Sequence, residues 1–178
     1  MGQTESSCAA KPSPLQPFEK PAGVNELWEL GLDKNHELLE KALRPFLPTK
    51  FYVTSEATER HLAEICDMFE KSRDENARNA LHHAMFALNG DAACRLLALG
   101  MNPSAVDCAG RTPAHWMVMK RSVPPSTNSK MGLVLLAQTL SLCRPALFAV
   151  DWEKKTAHFH AIDRLQVSCL SFHVSSEL

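Results

Sequence analysis

Asp74-Glu75-Asn76-Ala77-Arg78-Asn79-Ala80-Leu81-His82-His83-Ala84 returns 33 residues later as Asp107-Cys108-Ala109-Gly110-Arg111-Thr112-Pro113-Ala114-His115-Trp116-Met117. A third copy runs Asp151-Trp152-Glu153-Lys154-Lys155-Thr156-Ala157-His158-Phe159-His160-Ala161, offset by 44 residues, an excess of 11. The excess falls on Ser122-Val123-Pro124-Pro125-Ser126-Thr127-Asn128-Ser129, which has loop chemistry. Removing it aligns Leu140, Leu142 and Val150-Asp151 with Leu96, Ala98 and Val106-Asp107. A fixed period of this length marks a chain built from stacked supersecondary units.

Each repeated residue type has a local reason. An aspartate at position i and a glycine at i+3 suit a type I turn, as at Asp107 and Gly110. The Thr112 hydroxyl is placed to cap a helix whose first position holds Pro113, where a missing N–H costs nothing. The first copy's helix is short, because Asn89-Gly90-Asp91 predicts a turn. A second helix follows, with Ala93, Leu96 and Leu97 inward and Gly100 closing it in a left-handed conformation. A hairpin this small cannot bury its own apolar face and must lie against copies of itself.

Upstream, residues 1–23 carry Pro12, Pro14, Pro17 and Pro21 among small polar residues and read as a mobile arm. Leu27, Leu30, Leu38, Leu39, Ala42 and Leu43 predict two short helices with a turn near Gly31–Asn35, stopped by Pro45 and Pro48. Thr54 or Ser55 can cap a longer helix with Leu62, Ile65, Cys66 and Phe69 on one face, ending between Lys71 and Asp74. The expected divisions are an arm (1–23), a helical cap or degenerate repeat (24–73), repeats over 74–106 and 107–150, with the loop insertion near 122–129 in the second, and a partial repeat with tail (151–178).

Composition narrows the function. The chain of 178 residues is 45% hydrophobic and 22% charged, ordinary for a soluble globular protein. Its 19 basic and 20 acidic residues give a net charge of −1, so it lacks the basic field that phosphate backbones require, and nucleic acid is not an expected partner. Six scattered cysteines without a CxxC pair, and no apolar stretch in residues 1–16 of the kind a secretory signal needs, predict free thiols in the cytoplasm. The longest apolar run, Met131–Leu142, is too short to span a bilayer.

Thr112-Pro113-Ala114-His115, with Asp107 and Gly110 before it and Leu96-Leu97-Ala98-Leu99-Gly100 in the preceding copy, resembles the ankyrin repeat. The resemblance covers Asp74–Lys120 most closely, extends to Met131–Ala161, and fades over Asn25–Asp74. It implies an all-α fold: an ankyrin-like helix–turn–helix repeat solenoid with a helical N-terminal cap. It also implies a non-catalytic module that binds another protein through turn fingertips and inner helices, as an adaptor or regulatory subunit. The fingertip positions are then Glu75, Asn76 and Arg78; Cys108, Ala109 and Arg111; and Trp152, Glu153 and Lys155. The inner-helix positions are Phe86, Ala87, Met119 and Lys120.

Some residues depart from the family's pattern. Ala77 and Lys154 replace the turn glycine, Asn79-Ala80 replaces Thr-Pro, and His158-Phe159 inverts the usual Leu-His order. A second helix of the last copy falls on Val167–Val174, which suits a helix poorly. The solenoid end is then uncapped and calls for a partner, a self-contact or a frayed tail.

Other constellations are weighed against plainer roles. His82 and His115 are expected to bridge repeats through backbone hydrogen bonds. His82-His83 and His158-x-His160 lack the paired cysteines that would complete a zinc site, and Cys94, His115 and Asp107 lack any oxyanion-hole motif. No catalytic residue, metal, cofactor or small-molecule substrate is expected, although a Cys/His-dependent enzyme, a zinc-binding protein or a structural subunit of a larger complex stay open. Trp152 is either a binding anchor or packs under the 122–129 loop. Met1-Gly2-Gln3-Thr4-Glu5-Ser6 fits the N-myristoylation pattern at Gly2, with Cys8 placed for a second acyl chain. Such a tether predicts peripheral membrane association.

Overall fold

A computed structural model describes residues 16–47, 56–119 and 144–163. Their regular structure is helical, apart from a single antiparallel bridge between Val150 and Thr156. No described helix is long and apolar enough to cross a membrane. Gly2, Cys8, Thr54, Ser55, Lys120, the 122–129 loop and Val167–Val174 lie outside the described residues.

The N-terminal pair opens with two 3-10 turns, Leu27–Gly31 and Asp33–Asn35, and continues as α1, His36–Leu43. The turn placed near Gly31–Asn35 is therefore itself wound into 3-10 helix. Leu27, Leu30, Leu39 and Leu43 are buried. The amphipathic α2, Glu56–Lys71, buries Ile65 and Phe69 and rests Leu62 and Cys66 on the same core.

The first repeat forms α3, Ala80–Ala87, and α4, Gly90–Ala98; the second opens with α5, Pro113–Met119, followed in the described chain by α6, Arg144–Leu147. Pro113 holds the first helical position, as its missing N–H favours. The turn between α3 and α4 differs from expectation. Leu88, at φ 60°, carries the left-handed reversal, while Asn89 caps α4 by accepting from Ala92 N–H at 3.0 Å and Gly90 is already helical and buried. Asn89 outcompetes Gly90 for the cap because its side-chain oxygen satisfies a free amide. Gly100, at φ +104°, closes α4 as its sequence predicts, with Gly100 N–H reaching Leu97 O and Met101 N–H reaching Leu96 O.

Packing sorts these elements into two rows. The Leu27–Gly31 turn, α3 and α5 lie side by side, with α1 and α4 paired behind them. The layer next to the α3/α4 hairpin is thus built by residues 27–43, and α2, although adjacent in sequence, packs on the Leu27–Gly31 turn. Leu30, Leu39, Leu43, Ile65, Phe69, Leu81, Met85 and Leu96 are fully buried between the layers. At about 1.5–3 kcal/mol for each large apolar side chain, this shared core holds hairpins that could not stand alone.

Candidate binding surface

Three turns project from these layers with one hydrogen-bond plan. In the first, Asp74 Oδ1 accepts from Asn76 and Arg78 N–H, both at 2.9 Å. In the second, Asp107 Oδ1 accepts from Ala109 N–H at 2.8 Å and Arg111 N–H at 2.9 Å. In the third, Asp151 Oδ1 accepts from Lys155 N–H at 2.9 Å. The residue three past each aspartate is left-handed: Ala77 at φ 60°, Gly110 at 75° and Lys154 at 62°. Alanine and lysine therefore adopt the glycine conformation, held by the surrounding bonds despite a cost of about 1–2 kcal/mol.

The turns are joined edge to edge. Cys108 N–H donates to Asn76 O at 3.0 Å, and its equivalent Trp152 N–H donates to Ala109 O at 3.1 Å. The histidines add a second link. His82 and Asn79 form a capping box, in which Asn79 Oδ1 accepts from His82 N–H at 3.2 Å and His82 Nδ1 accepts from Asn79 N–H at 3.3 Å. His82 Nε2 then reaches Arg111 O at 3.2 Å, and His115 Nε2 reaches Lys155 O at 3.1 Å. The 11 extra residues leave this pattern intact.

The third copy keeps one register throughout: Thr156 Oγ1 accepts from Phe159 N–H at 3.2 Å, as a helix cap. Phe159, not His158, occupies the bridging-histidine position and is half exposed. In the second copy the Thr112 hydroxyl lies 2.9 Å from His115 Nδ1 and 3.4 Å from Ala146 O, so it engages a side chain and a neighbouring carbonyl.

One recurring contact escaped the sequence reading. Nine residues past each aspartate, a ring nitrogen meets its second oxygen: His83 at 3.1 Å, Trp116 at 2.9 Å and His160 at 2.7 Å. The shared property is a ring N–H rather than a residue type, which hides the repeat from residue matching.

Burial pushes the Asp107 carboxyl up, but bonds from Arg111 N–H, the Trp116 indole and Ala109 N–H, with the Arg111 guanidinium, outweigh it and leave the pKa lowered. Burial dominates at His82 and drives its pKa from 6.5 to about 4, against opposing contributions from Arg111 O and Asp107. Between pH 6.5 and about 4 the unfolded chain binds a proton there that the folded chain refuses. Stability is thus complete above pH 6.5 and falls as pH drops through that window, by about 3 kcal/mol from this side chain. Burial lowers His83 and His115 as well, in the same sense. Urea midpoints should fall steeply from pH 7 to 4.5; a flat profile would exclude a buried neutral His82.

The expected contact residues divide into three groups. Glu75, Phe86, Cys108, Trp152 and Glu153 are exposed, Trp152 at 73%. Asn76, Ala87, Met119 and Lys155 are half-buried, and the Lys155 ammonium pairs with Glu153 at 2.7 Å. Arg78 and Arg111 are drawn inward instead. Each guanidinium holds its turn aspartate, at 2.6 Å and 2.9 Å, and the two lie over the Trp116 ring, 4.6 and 4.7 Å from its centroid. Trp152 rests on Gly110, where any Cβ would meet the indole at 2.4 Å.

The imagined Cys94–His115–Asp107 relay is not assembled. Asp107 is engaged by Arg111 and Trp116, and His115 by Thr112 and Lys155. His115, Asp151 and His160 do converge, the one such group that could hold a metal ion among the described residues. No family model and no curated protein matches this chain.

Proposed function

We propose that this chain is an ankyrin-type repeat module whose fingertips and inner helices bind a partner protein, as an adaptor or regulatory subunit without catalytic activity of its own. The observation that carries the reading is the row of like turns, bonded edge to edge, with an uncovered tryptophan at the third. Exposing an indole is costly, and tryptophan is among the residue types most enriched at binding hot spots. Glu75, Cys108, Glu153 and Phe86 are exposed as well and mix polar and apolar chemistry. The neutral overall balance suits a protein partner better than nucleic acid. Acylation at Gly2, with Cys8, would hold the module at a cytoplasmic membrane face.

Proximity labelling in cells tests this directly. Trp152→Ala should lose a defined set of labelled proteins while keeping the native circular dichroism spectrum. Identical labelling by both proteins would remove the fingertip from the mechanism. Phe148 and Val150, 80% and 50% exposed beside the third turn, favour a second reading, a structural subunit. That reading requires larger assemblies on size-exclusion chromatography; a stable monomer counts against it.

A further inference from the structure

The geometry points to a divalent-metal site between the second and third turns, with His115, Asp151 and His160 as ligands and Zn2+ as the ion their chemistry fits best. One ligand atom from each lies within 4.8 Å of the others. Asp151 Oδ1 is fixed by Lys155 N–H, which leaves Oδ2 for the ion, 2.7 Å from His160 Nε2. His115 contributes Nε2, the nitrogen facing this layer through its contact with Lys155 O. His115 and Asp151 are buried, while His160 is 17% exposed and gives the ion a way in.

The repeat isolates what is unusual here. At the second turn the equivalent trio is His82, Asp107 and Trp116, and an indole N–H donates but cannot coordinate. Trp116 shows that the turn aspartate needs only a ring N–H at that position. His160 supplies that from Nε2, and when its proton moves to Nδ1 the same nitrogen offers a lone pair to an ion, so of the three described turns the third holds two imidazoles and a carboxylate in one place.

Coordination demands a change of tautomer at His115, which trades one hydrogen bond for another. With Nε2 on the metal, the His115 proton moves to Nδ1, 2.9 Å from Thr112 Oγ1, whose O–H turns to donate to Ala146 O at 3.4 Å, and Nδ1 gives up the hydrogen bond it accepts from Thr112 N–H at 3.1 Å. A ligand histidine whose other ring nitrogen donates to an oxygen is the usual arrangement. Lys155 O loses its histidine donor in exchange. Tetrahedral bonds of about 2.0–2.1 Å place ligand atoms about 3.3 Å apart, so the Asp151–His160 contact opens by about 0.6 Å. Two imidazoles, one carboxylate and a water suit Zn2+ better than Ca2+ or Mg2+, which prefer oxygen sets.

The proposal stands on these three residues and does not depend on the partner-binding reading. The test is Zn2+ titration by calorimetry of the full chain and of His160→Trp, which installs the second turn's residue. Native protein should take up one equivalent that His160→Trp loses or binds at least about 100-fold more weakly, since disturbing a ligand's outer partner already costs 10- to 100-fold. Equal uptake by both, or none by the native chain, overturns the site. X-ray absorption of the zinc-loaded native protein decides independently of the variant's folding. Nitrogen and oxygen neighbours alone support the assignment; sulfur at about 2.3 Å assigns the ion to cysteines instead.

Discussion

Asp107→Ala is expected to remove about 3–5 kcal/mol of unfolding free energy, the cost typical of deleting one partner of a buried charge pair. The Asp107 side chain is fully buried. It accepts from Ala109 and Arg111 N–H, from the Arg111 guanidinium and from the Trp116 indole. Alanine leaves those donors without their acceptor and strands Arg111 beside the indole, uncompensated. Asp151→Ala should cost less, because that turn has no arginine fork and its equivalent backbone position is taken by Lys155. Urea denaturation of both variants measures the difference. A loss below about 1 kcal/mol for Asp107→Ala would put it in the range of an ordinary solvated hydrogen bond and deny the turn its structural role.

Gly31→Ala should be comparably damaging for a different reason. A Cβ at Gly31 would sit 2.0 Å from the Ala80 carbonyl oxygen and 2.7 Å from its carbon. Both are backbone atoms at the start of α3, so neither can swing aside as a side chain could. The 27–43 layer must separate from α3, loosening Leu30, Leu39 and Leu43 against Leu81 and Met85. Overpacking of a rigid site costs about 1–3 kcal/mol and sometimes more, and a chain of this size loses about 2–4 °C of melting temperature per kcal/mol. A drop of about 2–12 °C is expected by calorimetry. A melting point unchanged within error would mean that the layers do not meet at Ala80.

The residues that announced the repeat are those whose backbone task admits few types: the turn aspartates, Pro113 and the bridging pair His82 and His115. The aspartates and histidines each map onto a bond in the structure, and Pro113 onto the first position of α5. Other positions were obscured because the same task is met by unlike residues. His83, Trp116 and His160 share only a ring nitrogen, and Ala77 and Lys154 share with Gly110 only a sign of φ. Arg78 and Arg111 read as fingertip charges because sequence position cannot reveal that both lie over the Trp116 ring. The partner layer of α3 was equally hidden, since α2 separates Gly31 from Ala80 along the chain and nothing local signals that the two backbones leave no room for a Cβ at Gly31.

The placement of the tryptophans makes the molecule its own optical probe. Trp116 lies against two guanidinium groups and donates to a carboxylate, Trp28 stacks 4.9 Å from the His83 ring, and Trp152 stands in solvent. Emission from Trp152 should be long-wavelength and open to iodide quenching, whereas that of Trp116 should be shielded and sensitive to loosening of the second turn. Intrinsic fluorescence can therefore follow a ligand arriving at the outer surface separately from disturbance between the layers, without attaching any dye.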